Sequence, residues 1–195
     1  MKNNTRRLTL TALFVALVFL LGLTPLGLIS LGFINVTILC IPVVIGTILL
    51  GLKTGLLLGF FFGTASLMSV MGLSMTQPSA LALALLTANA PMCVVMCYVP
   101  RLLVPVAAHC VYRLAAKGEA RCTRALPFAA AAGSLTNTIL YLGLMWVFYA
   151  LCGLDAGKIL ALILGTGALG GGSEAVVAAL LVTPIVTALW KVMKK

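Results

Sequence analysis

The sequence predicts an all-α integral membrane protein, a six-transmembrane-helix bundle with cytoplasmic N- and C-termini, folded as one membrane domain over residues 1–195. Three observations predict it. The chain is 63% hydrophobic and 8% charged, with a mean hydropathy of +1.22, far from the composition of a soluble domain. Its apolar runs recur at about the 20 residues that a spanning helix needs, which leaves no room for a soluble domain or a long linker. Glycines stand at every fourth position, Gly51, Gly55, Gly59 and Gly63, beside the lone Lys53. Such a step keeps small residues on one slowly drifting helix face, where two backbones approach closely and pack by van der Waals contact. In a soluble helix each of these glycines would cost about 1 kcal/mol relative to alanine.

The spans are expected at 8–27, 34–51, 54–72, 91–115, 127–151 and 170–190. The first follows Lys2, Arg6 and Arg7 but is too long for a signal peptide, lacks a small-x-small cleavage site and precedes further spans, so it reads as a helix. The loop after it, Thr24 to Phe33, carries no charge. The second span begins at Asn35, and Lys53 separates it from the third. The stretch from about Gly72 to Val99 is again uncharged, with Pro78 and Pro91 breaking any single helix. Loops in water are normally polar, so these two apolar loops are expected to fold back over the bundle, as a binding lid or as a structural plug.

Charge fixes the orientation. Lys2, Arg6, Arg7, Lys53, Arg113, Lys117, Arg121, Arg124, Lys191, Lys194 and Lys195 fall on one side, while the other carries only Lys158. The positive-inside rule then puts both termini in the cytoplasm. The net charge of +10 is thus a topology signal, and loops this short offer no nucleic-acid surface. Trp146 and Tyr149 near one interface, and Tyr112 and Trp190 near the other, fit aromatic belts.

Several chemistries find no residues. Cys40, Cys93, Cys97, Cys110, Cys122 and Cys152 form no CxxC pair, and His109 is the only histidine, so no metal site is expected and His109 reads as a packed neutral side chain. The only acids are Glu119, Asp155 and Glu174, too few for an acid–base pair or an intramembrane protease, and no GxxxxGK[ST] loop is present to bind ATP. No catalytic residue and no cofactor is expected.

Four polar residues within or at the ends of the spans remain: Asn35, Arg101, Asn137 and Glu174. A charge in a membrane helix costs about 2.5–3.5 kcal/mol on insertion scales, so each should find a partner or water. Arg101 and Glu174 either pair with each other, or Arg101 meets a ligand carboxylate or phosphate, for which its planar fork is suited. Asn35 and Asn137 suit ligand hydroxyls or amides. This chemistry points to a small polar or anionic molecule held in an outward-facing pocket.

The order of motifs carries a resemblance. Ala12-Leu-Phe-Val-Ala16, the stretch Gly32 to Gly46 with Asn35 and Pro42, Gly51-Leu-Lys53-Thr-Gly55 with Gly59 and Gly63, Val99-Pro100-Arg101, Gly133-Ser-Leu-Thr-Asn137 and the final Glu174 to Pro184 helix resemble the substrate-binding S component of energy-coupling factor (ECF) vitamin transporters. The chain departs from the pattern at Gly171-Gly172-Ser173, where an Asn is expected before the last-helix Glu. The resemblance implies a six-helix protein of the bacterial cell membrane that binds one vitamin near the outer face. It implies as partners a transmembrane coupling subunit and two cytoplasmic ATPase subunits, with Ala12 and Ala16 docking on the coupling subunit. Phe33 and Tyr98 are the nearest aromatics to the outer loops, few for stacking a flat flavin. A flexible acid with hydroxyls and an amide suits Arg101, Asn35 and Asn137 better, and the branch most resembled includes pantothenate transporters. Riboflavin and other vitamins stay open, as do a self-sufficient secondary transporter and a non-transport membrane scaffold.

Overall fold

The computed structural model describes residues 2–30, 35–75, 79–119, 121–162 and 167–193. Five helices are long and apolar enough to cross a membrane, at Thr5–Leu23, Leu52–Val70, Ala90–Ala116, Thr123–Leu151 and Leu169–Val192. They belong to α1 (Lys2–Leu23), α3 (Leu52–Val70), α5 (Ala90–Ala116), α6 (Leu126–Leu151) and α8 (Ala168–Met193). Their bounds lie within a few residues of the expected spans, apart from α1, which starts and stops earlier.

The expected second span is the exception. Its start is a strand, β2 (Asn35–Thr37), paired antiparallel with β1 (Leu28–Ser30), and only α2 (Cys40–Leu50) is helical. Ile34, Val36, Thr37 and Ile38 form a β-branched run, which suits a strand better than a helix. The 11 residues of α2 rise about 16 Å, half of a ~30 Å hydrocarbon core. Cys40 through Thr47 are all buried, so protein rather than lipid surrounds this short helix. Non-helical backbone next to it is tolerable in a membrane protein for that reason.

The expected second outer loop is largely helical as well. It contains α4 (Ala80–Ala88), and α5 already begins at Ala90. Asn89 caps α5, its side-chain oxygen accepting from the Met92 N–H at 3.3 Å. Pro91 sits in the first turn, where its missing N–H costs no hydrogen bond. It therefore starts a helix instead of interrupting one. The Tyr149 hydroxyl donates to the Leu81 carbonyl at 2.6 Å and ties α4 to α6. Tyr149 is buried, and so is Tyr112, whose hydroxyl accepts from the Cys122 N–H at 3.2 Å. Both are internal ties and not belt residues. A short α7 (Ala156–Leu162) precedes α8.

α5 lies at the centre, packed on α3 and α6, with α8 against α6. The glycine face of α3 makes the first contact possible. A Cβ at Gly59 would lie 2.5 Å from the Arg101 carbonyl oxygen, and one at Gly63 would lie 2.7 Å from the Tyr98 ring. Gly55 is seated between Thr47 and Pro105. Gly51 does not belong to this face: nothing lies within 4 Å, and its φ of +93° makes the turn from α2 into α3.

Two apolar clusters fill the bundle. The first lies toward the termini and joins Phe14 of α1, Val43 and Val44 of α2, Leu58 and Phe62 of α3, Val104 of α5, Leu126 of α6 and Val182 of α8. The second lies toward α4 and joins Val70, Leu85, Cys93, Met96, Cys97, Met145 and Tyr149.

Candidate functional site

The polar residues sit between these clusters. On α5, Arg101 lies between Cys97 of one and Val104 of the other; on α3, Ser66 lies between Phe62 and Val70; on α6, residues 133–141 separate Ala130 from Met145. The chain thus builds a polar layer across three helices, with an apolar cluster on either side.

Proline explains how Arg101 is held. Pro100 has no N–H, so the Met96 carbonyl one turn back loses its helical partner. Arg101 Nη1 takes that place, donating to Met96 O at 3.0 Å. Its Nη2 donates to Ser66 Oγ of α3 at 3.0 Å. The guanidinium lies 4.4 Å from the centroid of the Tyr141 ring and 5.5 Å from that of Phe62, within cation–π range of both. Only 7% of Arg101 is exposed, and its buried Nε has no hydrogen-bond partner. Pro105 likewise leaves the Arg101 carbonyl without its helical N–H, and Gly59 is the residue that lets α3 lie against that carbonyl.

On α6, Ser134, Asn137, Thr138 and Tyr141 follow the i, i+3, i+4, i+7 spacing of one helix face. Thr138 Oγ1 donates to Glu174 Oε2 of α8 at 3.2 Å, and Gly171 makes room for this contact, since a Cβ there would lie 2.8 Å from Thr138 Cγ2. The buried Oδ1 of Asn137 has no hydrogen-bond partner. Ser134 is fully buried. An unmet buried polar atom costs about 1–3 kcal/mol. Among the described residues the layer therefore holds three unmet buried polar atoms: the Arg101 Nε donor, the Asn137 Oδ1 acceptor and the Ser134 hydroxyl, which can do either.

Of the expected site residues, Arg101, Asn137 and Glu174 fall in this layer. Arg101 donates to Met96 O and Ser66 Oγ, while Glu174 accepts from Thr138. Asn35 opens β2, whose backbone runs beside α8, and its side chain lies outside the described ones. Ala12 and Ala16 are both exposed on α1, a helix with little of its apolar length buried. Ser66, Phe62, Thr138 and Tyr141 were absent from the expected set; Thr138 and Tyr141 share the face of Asn137, and that spacing was the available signal. Ser173 bonds the Gly170 carbonyl at 2.8 Å within its own helix turn. His109 is not packed in the core. Half-buried, it lines a cavity of about 270 Å³ with Thr47, Tyr112, Arg113 and Glu119, at the opposite end of α5 from α4.

The ECF transporter substrate-specific component family model matches residues 6–192. The chain belongs to that family. Over 199 aligned residues the family member is also 29% identical to the pantothenic acid transporter PanT of Lactococcus lactis subsp. cremoris (strain MG1363), covering 97% of this chain and 96% of the relative. Membership makes it a membrane-embedded, substrate-specific component of vitamin-type uptake, and its apolar helices agree.

Proposed function

We propose that this protein is the pantothenate-binding S component of an ECF importer, capturing its ligand on the outer side and delivering it through a transmembrane coupling subunit driven by two cytoplasmic ATPases. The observation that carries the reading is Arg101: a guanidinium 7% exposed inside a membrane helix, held by Met96 and Ser66, with Nε unmet. A buried cation of this kind suits an acid, and Asn137 and Glu174 suit the hydroxyls and amide of a flexible one. The likeness to a pantothenic acid transporter along the whole chain supports the choice of acid. Both termini are cytoplasmic in this reading, by the basic clusters around them.

Ala12 and Ala16 are the docking face for the coupling subunit, because small exposed residues at i and i+4 let a partner helix approach closely. The test is the double variant Ala12→Trp with Ala16→Trp, in cells that hold the coupling module. Uptake of labelled pantothenate is expected to stop while the purified variant binds pantothenate like the wild type. Unchanged uptake would remove the docking assignment, and failure of the wild type to bind pantothenate would remove the substrate assignment.

A further inference from the structure

We infer that the polar layer reads its ligand in one direction: the acid group lies at Arg101, toward α4, and an N–H or O–H donor of the same molecule lies about one helical turn deeper, at Asn137. This rests on the acid-binding reading above and adds the orientation and the second half of the recognition.

Besides the Ser134 hydroxyl, which can donate or accept, two buried atoms are unmet among the described residues, and they are chemically opposite. Arg101 Nε–H only donates, and Asn137 Oδ1 only accepts. A guest that satisfies both must bring an acceptor to the first and a donor to the second. Their order along the bundle follows from the helices. Side chains on a helix lean toward its N-terminus, and the N-terminus of α5 is the α4 end. The guanidinium obeys, reaching back to Met96 O and lying beside Tyr141. Asn137 lies four residues before Tyr141 on the same face of α6, nearer the end that carries the chain termini, a rise of about 6 Å. Glu174, bonded to Thr138 next to Asn137, adds an acidic group on that deeper side. An acid bound the other way round would set its own charge beside Glu174 and leave the Arg101 Nε–H facing a donor, so both contacts would turn repulsive. The separation suits a short-chain acid with an amide or hydroxyl a few bonds from its carboxylate.

The experiment is a competition binding assay on the purified wild type, Arg101→Lys and Asn137→Leu, each first checked for a monodisperse, folded peak. The probes are pantothenate, its alcohol analogue with CH2OH in place of the carboxylate, and two donor-blocked analogues, one methylated at the amide nitrogen and one lacking the secondary hydroxyl. The wild type is expected to prefer pantothenate over the alcohol and over at least one donor-blocked analogue by about tenfold or more each. Arg101→Lys keeps the charge but loses the planar fork, so it should shrink the acid preference and keep the donor preference. Asn137→Leu should do the reverse. Exchange of the two effects, or loss of both preferences together in each variant, would overturn the orientation while leaving pantothenate binding standing. A wild type that binds no pantothenate would overturn the substrate reading and the orientation with it.

Discussion

The half of the bundle near the termini and the half near α4 are built differently. The first draws its buried residues from α1, α2, α3, α5, α6 and α8, so apolar packing closes it all round. The described core of the second draws only on α3, α4, α5 and α6. The N-terminal part of α8 joins neither core: Leu169 is 67% exposed, and Gly170, Gly171 and Gly172 give little to pack. A binding protein needs a floor that does not yield and a cover that does. In the proposed reading the closed half is the floor, and the polar layer lies where the closed packing ends.

That contrast can be broken from either side. Leu126→Ala empties a fully buried position in the closed half, and about 2–5 kcal/mol of stability should be lost, read as a lower thermal midpoint in detergent. Ligand affinity of the folded protein should stay near wild type. Arg101→Ala strikes the layer itself. Removing a charge-assisted contact of about 1.5–3 kcal/mol should weaken pantothenate binding by about 10- to 100-fold in calorimetry. Gly59→Ala tests the seam that presents Arg101: the added Cβ would meet the Arg101 carbonyl, so α3 must shift, at about 1–3 kcal/mol in the thermal midpoint and with weaker binding. The smallest effect is expected at Tyr149→Phe, which removes the tie between α6 and α4. About 0.5–1.5 kcal/mol should be lost, with faster backbone amide exchange confined to α4. Exchange rising equally in α2 would mean that the two halves are one cooperative unit.

Much of this was legible in the sequence, for physical reasons that also explain the rest. Arg101, Asn137 and Glu174 stood out because a polar group in an apolar helix needs a partner. Gly55, Gly59 and Gly63 were legible as a packing face, because small residues at a step of four have few other uses in lipid. Gly51 shared the step without sharing the role, since spacing does not report a positive φ. The strand at Asn35–Thr37 was hidden by hydropathy, which counts apolar residues and not their branching. Ser66 gave no sign of its role, and Tyr141 only that it shares the face of Asn137: a serine and a tyrosine are ordinary in membrane helices, and only the α3–α5–α6 packing brings them to one guanidinium. Pro100 and Arg101 were seen as neighbours, but the link through the Met96 carbonyl appears only once α5 continues unbroken past the proline.

The central claim is that the layer between the two cores is a ready site for one small acid. Calorimetric titration of the detergent-purified protein alone with pantothenate tests it most directly. The account predicts saturable one-to-one binding by the wild type, lost in large part in Arg101→Ala while the variant stays folded. A folded wild type that takes up no pantothenate, or an Arg101→Ala variant that binds it as tightly as the wild type, would contradict it.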